Sequence, residues 1–184
     1  MADLRRRLVI LALPLLVAAA IPVQANSERA PPLPESVASL APGLRAQGGG
    51  LLSFFGISVY DGWYWSDARG WPDAGPYALD LHYHRNLDGD KIAQRSVDEI
   101  AQLGYGTEAE RSGWRAQLTR ILPNVRRGDR LTGVTTDASA VRFFHNGVRI
   151  GEIAEPGFAR AFFGIWLDPK TSQTDFRAKL LGAR

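Results

Sequence analysis

The stretch that decides the fold is the C-terminal third of the chain, which reads VRFFHNGVRIGEI over residues 141–153, EPGFARAFFGIWLDPKTS over 155–172 and DFRAKLLG over 175–182. Asn146 and Gly147 separate two strand-forming runs, and both tolerate positive φ, so they predict a β-hairpin with a type I′ turn. Apolar residues then recur at helical spacing after Pro156, and again after Thr171. A hairpin followed by two short helices is expected.

Upstream of this stretch the sequence alternates between strand-like and helical patterns. Large side chains occur on both parities over 51–65, which predicts one long strand that is covered on both faces. Further strands are expected at 77–84 and 130–136, with two helices between them. The second of these helices begins with a capping box at Thr107 and Glu110. The order predicts a single α+β domain in which helices pack on one antiparallel sheet.

The first 25 residues have the regions of a secretory signal peptide. Three arginines form a basic start, an apolar run follows, and Val23 and Ala25 are small residues at the positions that a signal peptidase reads. The apolar run is shorter than the roughly 20 residues that span a bilayer, which favours cleavage over a retained anchor. Residues 26–47, rich in proline and alanine, are expected to form a linker or extended arm, and 48–182 the folded domain.

The charge of the chain argues against a nucleic-acid partner. The formal net charge is +3, but the predicted leader holds three arginines and one aspartate, so the rest of the chain keeps +1. Nucleic-acid binding requires a clustered basic face. The densest basic group, Arg126, Arg127 and Arg130, is more simply a solvated turn. The absence of cysteine excludes disulfides and cysteine-based metal sites.

Several short motifs occur in an order and spacing that resembles the bacterial chalcone isomerase-like family, over residues 48–182. They are GISVYD at 56–61, LDLHYHR at 79–85, RSVDEI at 95–100, GDRL at 128–131, and the C-terminal stretch with its WLDPKT junction. The resemblance implies an open-faced β-sandwich, in which a large antiparallel sheet carries a layer of helices. Relatives of that fold include plant enzymes that close a flavanone ring and proteins that bind fatty acids without catalysis, so the fold alone does not decide the function.

The catalytic residues of the enzymes are not matched in this chain. Their chemistry adds a phenolate to an enone and needs a cation and hydroxyl or amide donors near the developing charge. By the resemblance, these positions fall on or near Arg45, Phe55, Asp88, Arg95 and Asp168. Only Arg45 is the residue type that the enzymes have at the corresponding position. It lies two residues further from Tyr60 than the pattern of the enzymes allows. No catalytic residue is therefore predicted.

A small apolar or fatty-acid-like ligand is the expected partner. The aromatic side chains of Tyr60, Trp63, Tyr64 and Trp65 have the character of a pocket lining, and plain core packing is the alternative. Arg45 and Tyr60 are predicted to hold the carboxylate of the ligand, because a charged donor beside a phenol suits that group.

Histidines at alternate positions of one strand suggest a second, less favoured kind of site. His82 and His84 share a face with Asp80, and His145 on another strand is a conceivable third ligand, a set that suits zinc or iron. Such residues more often form a polar face whose groups bond to one another. No metal and no cofactor are therefore predicted.

We expect an exported, periplasmic or secreted, non-catalytic domain that binds a small apolar or fatty-acid-like ligand, without stable membrane insertion once the leader is removed. Two alternatives stay open. One is an isomerase or intramolecular lyase that acts on a phenolic or enone substrate, against which the unmatched donors count. The other is a structural or interaction protein without a ligand, and an apolar cavity under the helices would distinguish that class from a binding protein.

Processing of the N-terminus is the first testable prediction. We expect cleavage between Ala25 and Asn26, because Val23 and Ala25 satisfy the small-residue rule and Pro22 ends the apolar helix just before them. N-terminal sequencing of protein from the periplasmic fraction should find Asn26 first. A chain that still begins at Met1 would contradict the prediction.

Overall fold

The structure, a computed structural model, describes residues 30–71 and 75–182. The predicted signal peptide, residues 1–25, lies outside the described residues, so its cleavage stays a prediction. The described chain forms one antiparallel sheet in which every strand pairs with its neighbours in sequence. The strands are β1 (Arg45–Phe54), β2 (Ile57–Ser66), β3 (Tyr77–Tyr83), β4 (Arg130–Thr135), β5 (Val141–His145) and β6 (Val148–Ile153).

Helices cover both faces of this sheet. They are α1 (Glu35–Leu40), α2 (Gly89–Gln102), α3 (Glu108–Ile121), α4 (Phe158–Leu167) and α5 (Thr174–Leu180). Helices α2 to α5 lie on one face, which we call the helix face, and α1 lies on the other, which we call the arm face. The predicted α+β class, an open antiparallel sheet with a helical layer, is confirmed.

Local signals at the element ends correspond to the structure. Thr107 and Glu110 form the reciprocal capping box at the start of α3. Asn146 and Gly147 have φ of 50° and 80° between β5 and β6, as a type I′ turn requires. Because these signals act within a few residues, they do not depend on the tertiary context.

The predicted single long strand over 51–65 is wrong, since the structure divides this region into β1 and β2. Phe54 pairs with Ile57, and Phe55 and Gly56 form the turn between them with φ of 48° and 75°. A phenylalanine rarely adopts positive φ, so the sequence gives no turn signal at this point. The turn folds the region back on itself, and large side chains on both parities are then shared between two paired strands.

The segment before the domain is more regular than the predicted linker or extended arm over 26–47. Glu35–Leu40 is helical, and β1 begins at Arg45. Val37 of α1 is fully buried in a small apolar cluster with Ala78, Val134 and Phe144 on the arm face. A helix of six residues is too short to produce a visible period, so the sequence carries no helical signal here.

A buried carboxylate ties the arm face together. Asp80 of β3 is completely buried and accepts two hydrogen bonds from Arg130, at 2.7 and 2.6 Å, and one from Thr132 at 2.8 Å. His82 lies 2.9 Å from the same carboxylate. Arg130 also donates to the carbonyl of Pro32, so the chain before α1 is attached to the centre of the sheet.

The pKa of Asp80 shows that these partners outweigh its burial. Desolvation raises the pKa, but the hydrogen bonds from His82 and Arg130 and the charge of Arg130 together lower it below its usual value. A carboxyl whose pKa is lowered on folding stabilises the fold above its unfolded pKa of about 3.9. That contribution is lost as the pH falls through the lower, folded pKa.

Replacing Arg130 tests this network. We expect Arg130→Ala to lower the free energy of unfolding at pH 7 by about 3–5 kcal/mol, because Asp80 then remains buried without its counter-charge. The loss should be smaller at about pH 3, because the buried Asp80 of the variant then accepts a proton and no longer carries an uncompensated charge. Denaturant melts at both pH values measure it, with Arg126→Ala, an exposed neighbour, as the control. Equal losses for the two variants at pH 7 would contradict the expectation.

Candidate functional site

An apolar cavity of about 430 Å³ lies between the helix face of the sheet and helix α2. Its floor is formed by β3 and β4, including Leu79, Leu81 and Leu131, and one wall by Phe162 and Ile165 of α4. The volume lies within the range of about 300–1,000 Å³ that is usual for small-molecule sites. Apolar side chains dominate the lining, so the cavity suits an apolar ligand.

The cavity exists because α2 packs mainly on its neighbouring helices. Its buried apolar side chains, Ala93, Val97 and Ile100, belong to the core shared with α3 and α4, and the α2 contacts are chiefly with those two helices. The start of α2 is fixed by Gly89, where a Cβ would stand 2.3 Å from the carbonyl oxygen of Leu122. Helix α2 is thus held above the sheet, and the space beneath it is the cavity.

Two tyrosines bring polar groups into the cavity. Trp166 donates from Nε1 to the Tyr60 hydroxyl over 2.8 Å, and the rings of Tyr60 and Tyr83 lie 5.5 Å apart. Among the described residues, the Tyr60 hydroxyl donates to no acceptor and the Tyr83 hydroxyl has no hydrogen-bond partner. Burial raises the pKa of both phenols, so they stay protonated and remain available as donors.

Cations surround the exposed end of the cavity, which we call the mouth. Arg85, Lys91 and Arg95 all line it. Lys91 pairs with Asp88 at 2.7 Å, and Arg95 pairs with the buried carboxylate of Glu99. Within the described residues, Arg85 has no hydrogen bond or ion pair. The mouth therefore carries an excess of positive charge, with Arg85 free to meet an anion.

Among the described residues, Glu99 is the only acidic one in the lining of the cavity. Its charge is compensated. Its carboxylate accepts from Arg95 and, over 2.9 Å, from the hydroxyl of Ser172. With these partners it does not act as a free negative charge in the apolar space. Through Ser172, Glu99 ties α2 to the segment between α4 and α5.

The turn between β1 and β2 forms the opposite edge of the mouth. Phe54, Phe55 and Ile57 line the cavity there and are also exposed to solvent, Phe55 to 91%. The left-handed conformation of Phe55 costs about 1–2 kcal/mol for a residue with a Cβ. A bulky aromatic thus occupies a position where the backbone alone favours asparagine or glycine.

The structure does not bring the two predicted ligand-binding residues together. Arg45 pairs with Ser66 across the β1–β2 ladder, whereas Tyr60 pairs with Leu52. Tyr60 and Ser66 are six positions apart along β2, or about 20 Å at the rise of a strand. Tyr60 lines the cavity and Arg45 does not, so a clamp of these two on one carboxylate is excluded by the geometry. Arg95 is the arginine close enough to influence the Tyr60 phenol.

The predicted aromatic cluster is divided between the two faces of the sheet. Tyr60 and Tyr64 lie on the helix face, where Tyr64 packs beside Tyr77 rather than in the cavity. Trp63 contacts the ring of His82 on the arm face, and Trp65 packs there against the cluster around α1. Of the four, only Tyr60 lines the cavity.

The histidines of the predicted polar face pair with separate carboxylates. His82 lies 2.9 Å from Asp80, His84 lies 2.7 Å from Asp61, and His145 lies 3.2 Å from Asp129. No group of three potential metal ligands occurs in the part of the chain that the structure describes.

The positions that correspond to the catalytic donors do not converge on one point. Phe55 and Arg95 line the cavity. Asp88 precedes α2 and pairs with Lys91, and Asp168 follows α4, where it accepts from the hydroxyl of Tyr105 over 2.5 Å. Both carboxylates have hydrogen-bond or ion-pair partners, and neither lines the cavity.

Sequence reasoning missed Arg85, Lys91 and Tyr83 as site residues. The alternation of the LDLHYHR motif does place Tyr83 on the apolar face with Leu79 and Leu81, and that signal was available. The sequence carries no comparable signal for Arg85 and Lys91, because their position at the mouth depends on how the segment after β3 leads into α2.

Comparison with known proteins agrees with this architecture. A search of curated proteins found no significant match. The crystal structure of a fatty-acid binding protein of Arabidopsis thaliana is similar, with a TM-score of 0.63 and 11% identity over 77% of this chain and 88% of that chain. None of the helices within 30–71 and 75–182 has the length and apolar character needed to cross a membrane.

The sequence profile described as chalcone isomerase-like matches residues 32–182, which includes α1 as well as the whole sheet and all the later helices. The match covers most of the chain and reaches further towards the N-terminus than the motifs do. The chain belongs to the chalcone isomerase-like family.

Proposed function

We propose that this chain is an exported, non-catalytic protein that binds a fatty-acid-like amphiphile in the cavity beneath α2. The observation that carries the proposal is an apolar cavity of about 430 Å³ with unpaired positive charge at its mouth. An alkyl chain with an anionic head matches both properties. Export rests on the predicted leader, which would place the protein in the periplasm or outside the cell.

The interior of the cavity favours the tail of such a ligand. Leu79, Phe143 and Phe162 are all buried and line the end of the cavity away from the mouth. Each methylene group that moves from water into such surroundings contributes about 0.8 kcal/mol. The tail therefore supplies most of the affinity and needs no specific polar contact.

The mouth favours the head group. Arg85 has no partner among the described residues, and a guanidinium can donate two parallel hydrogen bonds to a carboxylate. Arg95 adds charge on the α2 side, although Glu99 shares it. The Tyr60 and Tyr83 phenols provide neutral donors between the mouth and the apolar interior. The Arabidopsis protein of similar fold, named for fatty-acid binding, supports the same class of ligand.

The two alternative functions receive less support. An isomerase or lyase would need donors at one reacting centre, and Asp88 and Asp168 are engaged elsewhere. A purely structural protein would have no use for a cavity of this size, which costs packing energy when it is empty. A purely structural protein also leaves the excess of cations at the mouth without a role.

Binding of laurate and of dodecanol tests the role of the head group. We expect laurate to bind more tightly than dodecanol, and Arg85→Ala to weaken laurate binding by about two- to fivefold, because Arg85 is a solvent-exposed cation. The effect on dodecanol should be smaller, since it carries no charge. Isothermal titration calorimetry gives both dissociation constants.

The matched control is Arg69→Ala, which removes an exposed arginine that does not line the cavity. It should leave both dissociation constants unchanged. Failure of both compounds to bind would contradict the proposed ligand class. Equal affinities for laurate and dodecanol, unaffected by Arg85→Ala, would contradict the proposed place of the carboxylate.

A further inference from the structure

Exposed apolar side chains are concentrated at one point of the molecule. Within the described residues, the large hydrophobic side chains that are exposed are Leu51, Phe54, Phe55, Ile57 and Val148. The first four lie at the end of the β1–β2 hairpin, and we call them the hairpin tip. The rings of Phe54 and Phe55 lie 4.7 Å apart and Phe54 pairs with Ile57, so these three side chains at least are neighbours. Clustered exposed apolar side chains mark an interaction site more often than scattered single residues do.

A comparison within the chain shows that folding does not require Phe55 at the tip. The β5–β6 hairpin makes the same kind of two-residue turn with Asn146 and Gly147, at φ of 50° and 80°. In the β1–β2 hairpin, Phe55 takes the place of that asparagine at φ 48°, followed by Gly56. An exposed aromatic residue thus occupies a turn position for which the backbone conformation favours asparagine.

The tip is continuous with the mouth of the cavity. Phe54, Phe55 and Ile57 line the mouth on one side, and Arg85, Lys91 and Arg95 line it on the other. Apolar and aromatic side chains beside exposed cations have the composition that binds at the interface of an anionic bilayer. The rings enter the boundary of the acyl chains, and the cations meet the lipid phosphates.

We propose that the hairpin tip docks on the surface of an anionic lipid bilayer, with the mouth of the cavity facing the membrane. This inference rests on the proposed function, because an alkyl ligand of the cavity would enter and leave through that mouth. A ligand of low solubility then passes between bilayer and cavity without crossing open water. The docking is peripheral, since only the tip side chains enter the lipid.

Flotation of the purified protein with vesicles tests this proposal. Vesicles of phosphatidylcholine with phosphatidylglycerol should bind the protein, and vesicles of phosphatidylcholine alone should bind it less. Phe55→Asn should weaken binding to the anionic vesicles by about tenfold, since it removes one large apolar side chain from the interface. Because it restores the favoured turn residue, thermal melts should show no loss of stability.

The matched control is Val148→Asn, which removes an exposed large apolar side chain that lies outside the tip. It should leave vesicle binding unchanged. The proposal is overturned if the wild-type protein does not float with anionic vesicles, or if the two variants bind them equally well. It is also overturned if Phe55→Asn abolishes only a self-association seen by sedimentation, which would make a second copy of the chain the occupant of the tip.

Laurate titration without vesicles, in parallel, separates this proposal from the proposed function. Laurate binding without vesicle binding would overturn the docking and leave the ligand class in place. Vesicle binding that depends on Phe55, without laurate binding, would support docking of the tip and contradict the proposed ligand.

Discussion

The packing of α2 on α3 and α4, above the sheet, is the constraint on which the cavity and its mouth depend. A helix that lay directly on β3 and β4 would fill the space with its own side chains. The close approach at Gly89 fixes the start of α2 against the segment that follows α3, because a larger residue would collide with the Leu122 carbonyl. Holding α2 there also places Lys91 and Arg95 at the mouth.

The opposite face of the sheet is closed in another way. There the chain before α1, together with α1, covers a buried polar network centred on Asp80. Its carboxylate accepts hydrogen bonds from Arg130, Thr132 and His82. Such a network stabilises a fold only if every member is satisfied, and it specifies register more strictly than apolar contacts do. Because this network fixes the arm face of the sheet, the strands keep their positions even though the cavity leaves part of the helix face unpacked.

Patterns that act within a few residues predicted much of this fold. The hairpin at Asn146, the capping box at Thr107 and the helical stripe after Pro156 each carry their signal in adjacent residues, and the family motifs added the architecture. The division of the first long strand was not predictable, because Phe55 occupies a turn position that its residue type disfavours. The short helix α1 was missed because six residues show no period.

The candidate site was less predictable than the fold. Tyr60 was predicted to contact a ligand and does line the cavity. Its predicted partner Arg45 lies far along the sheet, since the distance between them is set by the register of β1 on β2, which depends on the unrecognised turn. Arg85, which has no partner within the part of the chain that the structure describes, belongs to a segment without periodic structure. Its position follows from tertiary packing, for which single-chain patterns carry no signal.

The central claim is that the cavity beneath α2 holds an alkyl chain. Native mass spectrometry of the purified protein tests it most directly, because a ligand bound in the cell remains visible as an added mass. The account predicts a fraction of the protein that carries one bound lipid, released on collisional activation and identified as a fatty acid or a close relative. Ligand-free protein alone, which also gains no mass after incubation with excess fatty acid, would contradict it.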